Sequence, residues 1–547
     1  MTRVVLLGSS PSPIDSDTQP VSPAHVRLSS FPTAPTVTAR LYGQVAAVDP
    51  DPITITRPAE AGFYRQLPGR VVETTDIAED LRALADAIED TTESVLIMPT
   101  ASVIHDELIY QINKTKRGAL VLIAKEPRPT ADAAENADNE GVENGEEIGE
   151  NGEPLTPEPP IEEAEPEIGM RTLEGLPVRM RAGRSRVISV GSAYHAVTRP
   201  NAVALGPLYV NAKNAAILAE AARELAGLTH LLGPEDDLVQ LLVLCLVRRG
   251  VSVGIRGRRD LYYRRILTQA DAEEAQQIMA GIDEDRVRLN HAVKGADGFF
   301  TTFFVSTYSR FIARWAARRG LTPNQVTCIS IALGVASAAS FATGTRAGAV
   351  AGALLIYFAF VFDCVDGQLA RYARKFGVLG AWLDATFDRF KEYVVFAGLA
   401  IGATVAGQGD VWTLALVAIA LQSVRHLLDF AYGAGHRRRR RKPPIPLPTL
   451  DLTISPDTPL REALEQRKAE RPVSGIRTLL KVWSKLGRFR PIYWARKMIV
   501  FPIGERFAAI AITAAFFDPR VTFLTLVIWG GIAAVYTLTG RLMRSLA

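Results

Sequence analysis

The hydrophobic and polar positions of this chain follow one pattern in its first half and another in its last third. Up to about Pro129, short apolar runs such as VVLLG and SVLIMPT alternate with polar stretches, and Ile77 to Ile88 has apolar residues at helical spacing. Short buried strands between helices are typical of an α/β layer. The pattern resumes at Met170, so we predict a soluble α/β domain made of residues 1–129 and 170–290.

The second part of this predicted domain gives clearer individual elements. Val187 to Val190 predicts a strand, Ala212 to Ala226 an alanine-rich helix, and Leu238 to Val247 another buried element. Gly227 directly follows the predicted helix and is a typical residue for a helix end.

An acidic segment separates the two parts. Thr130 to Gly169 contains no Lys or Arg and almost no large apolar side chains. Such a segment cannot bury enough surface to offset its ordering entropy. We predict that residues 130–169 form a disordered insertion in one domain, with a linker between two domains as the alternative.

From about residue 291 the pattern changes to that of a membrane domain. A span needs about 20 largely apolar residues, and the third stretch is short unless it continues from the charged helix before it. The six apolar stretches are Val326–Thr343, Ala347–Phe362, Tyr393–Val405, Val411–Leu428, Met498–Phe517 and Val521–Gly540.

Basic residues flank alternate ends of these stretches. Arg437 to Lys442 follow the fourth stretch, Arg310 to Arg319 precede the first, and Arg541 and Arg544 follow the sixth. Because basic loops face the cytoplasm, we predict six spans in the cell membrane with both termini cytoplasmic. The run at Arg437 to Lys442 is then a topology anchor or an anionic-lipid contact and does not indicate nucleic acid.

The segment ahead of the first span mixes aromatic residues with arginines. Phe299 to Arg319 is predicted to be an amphipathic helix in the membrane interface, with an ordinary cytosolic amphipathic helix as the alternative.

The net charge of +4 says little about the function, because the charges of the segments nearly cancel. Cys245, Cys328 and Cys364 show no disulfide or zinc spacing, which fits a reducing cytosol.

Four aspartates carry the candidate chemistry. Asp363 and Asp366 stand three residues apart at the end of the second stretch, and Asp384 and Asp388 stand four apart further on. Each pair shares a helix face, so two antiparallel helices would direct four carboxylates into one space. Such a cluster repels itself unless cations neutralise it, and carboxylate oxygens suit Mg²⁺ or Mn²⁺.

Small residues beside these acids leave room for a ligand. Gly367 costs about 1 kcal/mol relative to alanine inside a helix, which is reasonable where a ligand approaches the backbone closely. Ala370 and Gly380 leave similar room one turn from an aspartate. Four basic residues add positive charge suited to phosphates: Arg371, Arg374, Lys375 and Arg389.

The spacing of these residues resembles the signature of the CDP-alcohol phosphotransferase family, D-x2-D-G-x2-A-R-x8-G-x3-D-x3-D. The upstream segment Leu321 to Thr327 resembles the family's entry to its first span, and the likeness covers roughly Gly295 to Ala547. Eight fixed positions make the match far more specific than a short pattern. They are Asp363, Asp366, Gly367, Ala370, Arg371, Gly380, Asp384 and Asp388.

The resemblance implies transfer of a substituted phosphoryl group from a CDP-alcohol to an acceptor hydroxyl, with release of CMP. It implies two Mg²⁺ or Mn²⁺ ions and a homodimer formed through the membrane domain. Asp388 would also act as the general base, and Arg374, Lys375 and Arg389 are candidates for an acceptor phosphate. The implied metal ligands are Asp363, Asp366, Asp384 and Asp388. The implied nucleotide-binding residues are Asn324, Thr327, Gly367, Ala370, Arg371 and Gly380.

Three hypotheses for the function remain open. The first is a phospholipid synthase that uses CDP-diacylglycerol and a polar acceptor such as inositol phosphate or glycerol phosphate. The second uses a soluble donor such as CDP-inositol. The third, a membrane scaffold with an idle site, is disfavoured by the intact motif.

The N-terminal half faintly resembles sugar-nucleotidyltransferase-like domains. Fusions of such domains to the membrane family imply a second enzyme that makes a CDP-alcohol. However, the residues after Val4 to Leu7 contain no GxGxR loop, so we favour a degenerate binding or assembly domain. Ser192 and His195 are predicted to lie in a polar turn, and His426 to be a packing residue or a neighbour of the membrane interface.

Overall fold

The computed structural model describes residues 2–8, 25–28, 35–115, 117–125, 180–182, 185–233, 236–257, 261–266, 268–294, 297–440, 447–469 and 489–546, with isolated positions between 475 and 487. The predicted acidic insertion, residues 130–169, lies outside these ranges. The chain forms two compact units. The first contains the described residues up to 284 together with 447–469, and the second contains 285–440 and the described residues from 475 onward.

The first unit is built on a mixed sheet. Its strand order is β10-β6-β9-β4-β1-β2-β3, with β7 and β8 attached beside β9. β1 to β4 pair in parallel, whereas β9 runs antiparallel to β4 and β6. A second small sheet pairs β5 with β11. The strands are β1 Thr2–Leu7, β2 Ile53–Thr56, β3 Arg70–Glu73, β4 Ser94–Pro99, β5 Ser102–Ile104, β6 Ala119–Lys125, β7 Met180–Ala182, β8 Val187–Val190, β9 Ala202–Val210, β10 Val253–Arg256 and β11 Tyr263–Arg265.

Helices pack around this sheet, so the predicted α/β fold is confirmed. The predicted strand Val187–Val190 and the predicted helix Ile77–Ile88 have the expected bounds. The helix predicted to stop before Gly227 includes it as its last residue. The helices are α1 Val37–Val45, α2 Pro58–Tyr64, α3 Ile77–Ile88, α4 Asp106–Asn113, α5 Ala212–Gly227, α6 Leu238–Arg248 and α7 Gln269–Gly281, with a 3-10 turn at Thr229–Leu231.

A late segment of the chain completes the core of the first unit. Leu447, Leu450, Leu452 and Leu460 are buried in the same cluster as the sheet residues. Asp457 accepts hydrogen bonds from the Ser189 hydroxyl at 3.1 Å and the Thr198 hydroxyl at 2.7 Å. This segment comes from the range 291–547, which the hydropathy pattern assigned to the membrane domain.

The second unit is helical. Its elements are α8 Glu284–His291, which begins at the unit boundary, a π-helical turn Thr301–Val305, α9 Ser306–Arg318, α10 Pro323–Ala342, α11 Arg346–Tyr372, α12 Val378–Val405, α13 Trp412–Arg440, α15 Arg490–Val500, α16 Ile503–Phe516 and α17 Pro519–Leu546. Helix α14, Thr458–Ala469, belongs to the first unit.

Within the described residues, four helices are long and apolar enough to cross a membrane, and a bent pair adds a fifth. The four are α10, α11, α13 over Trp412–Gly435, and α17. They match the first, second, fourth and sixth predicted spans. The third predicted stretch is the apolar second half of α12, whose first half carries five charged residues.

The fifth predicted span is broken. Helices α15 and α16 meet at an angle of 72°. Pro502 disfavours helical backbone in the residue before it, and Phe501 adopts a left-handed conformation with φ of 55°. A continuous span was therefore predicted where the chain has a bent pair.

Close helix packing brings α10 against α12. A Cβ on Gly398 would lie 2.3 Å from the Ala338 carbonyl oxygen, and one on Gly402 would lie 2.0 Å from the Phe341 carbonyl oxygen. Only glycine allows backbones to approach this closely. Helix α11 also packs against α10, so the acid-bearing parts of α11 and α12 lie beside one helix.

Candidate active site

Three aspartates from two helices form a cluster. Asp363 and Asp366 lie on the last three turns of α11, and Asp384 lies on the second turn of α12. One carboxylate oxygen from each residue lies within 4.8 Å of the others. Asp366 is buried, and the other two are partly buried. The predicted convergence of the two helices therefore occurs for these three residues.

The fourth aspartate reaches the cluster through a lysine that sequence reasoning missed. Lys391 lies three residues after Asp388 on α12, and its Nζ lies 3.1 Å from Asp388 Oδ1. The same ammonium contacts Asp363 Oδ1 and donates to Ser330 Oγ at 2.9 Å. The sequence offered one indication of this role, a lysine within a long helix beside apolar stretches. It did not indicate which residues the lysine contacts.

Helix α10 supports the acids from the other side. Thr327 donates from Oγ1 to Asp366 Oδ2 at 2.6 Å, which fixes one carboxylate oxygen. Asn324 lies next to Gly380, where a Cβ would come within 2.8 Å of Asn324 Oδ1. The structure thus places both predicted nucleotide-binding residues of α10 beside the motif.

The two motif glycines have different surroundings. Gly380 faces a protein neighbour, since a Cβ there would lie 2.8 Å from Asn324 Oδ1 and the Asn324 amide would have to move. By contrast, a Cβ on Gly367 would meet only the Arg371 guanidinium, at 3.5 Å, which is ordinary contact. Packing does not explain Gly367, so the space beside it fits a ligand. Ala370, half-buried one turn after Asp366, borders the same face.

The four basic residues near the motif lie in different surroundings. Arg371 donates from Nε to the Ala292 carbonyl oxygen, and its charge acts on Asp366 and Asp384. Arg389 stacks over the Phe430 ring with its guanidinium carbon 4.5 Å from the ring centroid. The other two candidates for an acceptor phosphate, Arg374 and Lys375, lie in the turn after α11.

The backbone of that turn is unusual. Arg374 has φ of 55°, a left-handed conformation that costs a non-glycine residue about 1–2 kcal/mol. Such conformations concentrate at functional sites.

Sequence reasoning also missed an acid near the motif, Asp297. Burial raises the pKa of Asp297, while the nearby cations Lys294, Arg371 and Lys497 act in the opposite direction. Lys497 also donates to the Asp297 carbonyl oxygen at 2.8 Å. Asp297 therefore belongs to the charged surroundings of Arg371.

Another buried ion pair involves Glu392, the residue after Lys391 on α12. Arg506 donates from Nε to Glu392 Oε1 at 2.9 Å, and both side chains are buried. His426 Nε2 lies 3.7 Å from Glu392 Oε2, so His426 is part of this polar network. Arg506 also donates to the Phe501 carbonyl oxygen, and Arg425 donates to that of Val500.

The cluster of Asp363, Asp366 and Asp384 fits a divalent cation. Three carboxylates from two helices supply the hard oxygen ligands that Mg²⁺ and Mn²⁺ prefer. Among the residues that the structure describes, this is the one group of three or more potential ligands close enough to share an ion.

In the first unit, the carboxyl ends of β1 and β4 are where an open α/β sheet usually binds ligands. The described residues there pack on each other. Tyr64 hydroxyl contacts Thr100 Oγ1 at 2.7 Å, and a Cβ on Gly8 would lie 2.7 Å from Thr56 Oγ1. Ser192 and His195 lie in a turn after β8 with Ser192 Oγ 2.6 Å from His195 Nδ1, as predicted.

Comparison with known proteins identifies the motif-bearing region. Residues 320–449 match the family model "CDP-alcohol phosphatidyltransferase". The chain is 42% identical over 89 residues to a phosphatidylinositol phosphate synthase of Mycobacterium tuberculosis, covering 16% of this chain and 40% of that protein. It is 34% identical over 119 residues to a bifunctional IPC transferase and DIPP synthase of Archaeoglobus fulgidus, covering 21% and 23%.

The match to this family model covers residues 320–449 of the 547. The chain spans less than half the length of the two relatives described above. Among solved structures, it resembles the inositol-1-phosphate CTP transferase of T. maritima with a TM-score of 0.32 and 10% identity, covering 52% of this chain and 96% of that one.

Proposed function

We propose that this protein transfers a substituted phosphoryl group from a CDP-alcohol to the hydroxyl of a polar acceptor and releases CMP. The observation that carries the proposal is the cluster of Asp363, Asp366 and Asp384 within a CDP-alcohol phosphatidyltransferase domain. CDP-diacylglycerol is the favoured donor and inositol phosphate a favoured acceptor. The M. tuberculosis relative, a phosphatidylinositol phosphate synthase, supports this choice.

Asp363, Asp366 and Asp384 are the residues that hold a divalent cation in this proposal. Such a cation neutralises negative charge on the pyrophosphate of the donor. Thr327 holds Asp366 in place through its 2.6 Å hydrogen bond, so this carboxylate keeps its orientation when no ligand is bound.

Asp388 is the general base. It accepts the proton of the acceptor hydroxyl while the hydroxyl oxygen forms a bond to the β-phosphorus of the donor. The bond from that phosphorus to the bridging oxygen breaks, and CMP leaves with that oxygen. Lys391 holds the Asp388 carboxylate through the 3.1 Å contact between its Nζ and Asp388 Oδ1.

The remaining motif residues position the two substrates. The face of α11 with Gly367 and Ala370 admits the cytidine, because nothing in the protein requires the small residue at Gly367. Arg371 steadies the acids and the donor phosphates. Arg374 and Lys375, in the turn between α11 and α12, bind the phosphate of the acceptor, and Arg389 of α12 is a third candidate.

The reaction is tested with the full-length protein purified into lipid nanodiscs. We expect CMP release from CDP-diacylglycerol that depends on Mg²⁺ or Mn²⁺ and on an acceptor from a panel including inositol phosphate and glycerol phosphate. Asp388→Asn should lower the rate of CMP release by about 10²–10⁴-fold while the melting temperature stays close to that of the wild type. A variant as active as the wild type would exclude Asp388 as the base.

A second candidate donor is CDP-inositol. The A. fulgidus relative is a bifunctional IPC transferase and DIPP synthase, and this chain has an additional α/β unit before its membrane helices. The same nanodisc assay with CDP-inositol in place of CDP-diacylglycerol separates the two. The donor that supports CMP release, CDP-diacylglycerol or CDP-inositol, is the substrate.

The proposal includes the membrane arrangement. The four apolar helices, the bent pair and α12 supply six crossings with both termini and the aspartates on the cytoplasmic side. The exposed aromatic residues Phe303, Phe304, Phe311 and Trp315 lie in the interface. The assembly is a homodimer formed through the membrane domain. Cysteine labelling from each side of sealed vesicles tests the orientation.

A further inference from the structure

Lys391 makes three polar contacts through its ammonium group. One goes to Asp363 Oδ1, one to Asp388 Oδ1 at 3.1 Å and one to Ser330 Oγ at 2.9 Å. Ser330 Oγ donates its own proton to the Ala359 carbonyl oxygen at 2.8 Å, so it can only accept from Lys391. The ammonium thus lies between two carboxylates and one hydroxyl.

The Lys391 side chain is enclosed by protein. Its side chain is 1% exposed. Its stem packs on Gly334, where a Cβ would lie 2.8 Å from Lys391 Cγ. Moving the ammonium away would leave a buried charge unpaired, which costs several kcal/mol.

Lys391 lies where a second metal ion would be expected. In two-metal sites the ions lie about 3.5–4 Å apart and share carboxylate ligands. The first ion position is defined by Asp363, Asp366 and Asp384. A second ion would bind Asp363 and Asp388, the two carboxylates that the ammonium already joins. Mg²⁺ needs oxygens at about 2.0–2.1 Å, so an ion bound to the same Oδ1 atoms of Asp363 and Asp388 would have to displace the ammonium.

We infer that Lys391 is a positioning residue that replaces the second metal ion, so that the centre binds one divalent cation per chain. This differs from the two ions expected from the sequence. The inference rests on the proposed function, because it assumes that Asp363, Asp366 and Asp384 hold a cation. It adds that Asp388 is held by an ammonium and does not ligate metal.

The test measures Mn²⁺ bound to the full-length protein in nanodiscs without any substrate. Titration followed by electron paramagnetic resonance gives both the number of ions per chain and the presence of spin coupling between close ions. For the wild type we expect one ion per chain and no coupling. Two coupled ions per wild-type chain would overturn the inference.

Lys391→Met keeps an unbranched stem and removes the charge. This variant should bind a second Mn²⁺ per chain and show a spin-coupled spectrum. Lys497→Met is the matched control, because that ammonium donates to the Asp297 carbonyl oxygen, and it should keep one ion. A Lys391→Met protein that binds one ion or none would show that Lys391 does not exclude the second ion and would overturn the inference.

The outcome separates the inference from the proposed function. Two ions together with CMP release would overturn the inference and leave the phosphotransferase proposal standing. A wild-type protein that binds no Mn²⁺ would overturn both. One ion without CMP release from any donor would support the metal count and reject the proposed reaction.

Discussion

Among single residues, Gly367 is a glycine that helix packing does not require and that a bound ligand would explain. A Cβ there would meet only the Arg371 guanidinium at 3.5 Å. Replacing a helical glycine by alanine stabilises the helix by about 1 kcal/mol. The residue is therefore retained against the preference of the helix, which is expected where a substrate approaches the backbone.

We predict that Gly367→Ala raises the Michaelis constant for the CDP-alcohol at least about tenfold while the protein melts at the same or a higher temperature. The assay is CMP release across a range of donor concentrations. Gly531→Ala, where an added Cβ meets nothing within 4 Å, is the control. It should gain stability and keep its Michaelis constant. If Gly367→Ala and the wild type have equal Michaelis constants for the CDP-alcohol, the donor does not bind on this face of α11.

At this scale the sequence predicts the acids well and their partners poorly. Asp363 and Asp366 share one face of α11 through helical spacing, whereas Asp384 joins them from α12. Lys391 and Thr327 reach them across helix contacts between α10, α11 and α12. A single sequence does not encode which helix faces meet, so these contacts needed the structure.

Among the elements, the break between α15 and α16 explains a group of buried charges. Helix α15 ends at Val500, and the left-handed Phe501 leaves backbone carbonyl oxygens without helical partners. Arg425 and Arg506 donate to them, as an apolar environment requires. Glu392 then balances Arg506.

We predict strong coupling between Glu392 and Arg506. Each single change, Glu392→Gln or Arg506→Gln, should lower the free energy of unfolding by about 3–5 kcal/mol, because it leaves a buried charge unpaired. The double variant should lose clearly less than the sum of the two. Unfolding by SDS in mixed micelles is followed through Trp529, which stacks on Phe501 with ring centroids 4.4 Å apart.

The control cycle uses Arg541 and Asp429, an ion pair in which Asp429 is 53% exposed. Exposed pairs couple by about 0–1 kcal/mol, so this cycle should be nearly additive. Additive losses for Glu392 and Arg506 would contradict the role of their ion pair at the break.

Element bounds were predictable where the apolar period was long and uninterrupted. The helix Ile77–Ile88 and the strand Val187–Val190 follow directly from local pattern. The fifth predicted stretch, Met498–Phe517, falls on a bent pair of helices, because its hydropathy continues across Pro502 while its helical backbone does not.

At the scale of the whole molecule, the chain returns to the first unit after α13. Leu447, Leu450 and Leu452 are buried in its core, and Arg248 donates to the Asp451 carbonyl oxygen at 2.9 Å. Sequence pattern could not reveal this, because residues 447–469 pack on elements about 200 positions earlier. A fragment ending at residue 290 would lack part of its own core.

His195 is one of the groups that hold this returning segment. It donates from Nε2 to the Leu452 carbonyl oxygen at 2.6 Å, and its Nδ1 lies 2.6 Å from Ser192 Oγ. Burial lowers the pKa of His195, against a smaller opposite effect of the Leu452 hydrogen bond. Protonation places a proton on Nδ1, so the imidazolium can no longer accept the Ser192 hydrogen bond, and burial disfavours its charge.

We predict that the returning segment loosens as the pH falls below about 6.5, the ordinary histidine pKa. Between the lowered folded pKa and that value, the unfolded state binds more protons, so stability rises with pH and is lost on acidification. All six tryptophans lie in the second unit. Hydrogen exchange of peptides spanning 447–457, corrected for intrinsic rates, is therefore the measurement, and protection should fall between pH 7.5 and 5.5.

His195→Gln should lower protection at pH 7.5 and flatten its pH dependence, because the side chain no longer titrates. His230→Gln, at an exposed position, should leave the profile of the wild type unchanged. Burial also lowers the pKa of His105 in the same unit, so a residual slope in His195→Gln is expected and should disappear when His105 is replaced as well. If the peptides spanning 447–457 keep the wild-type slope without His195, the imidazole does not hold the segment.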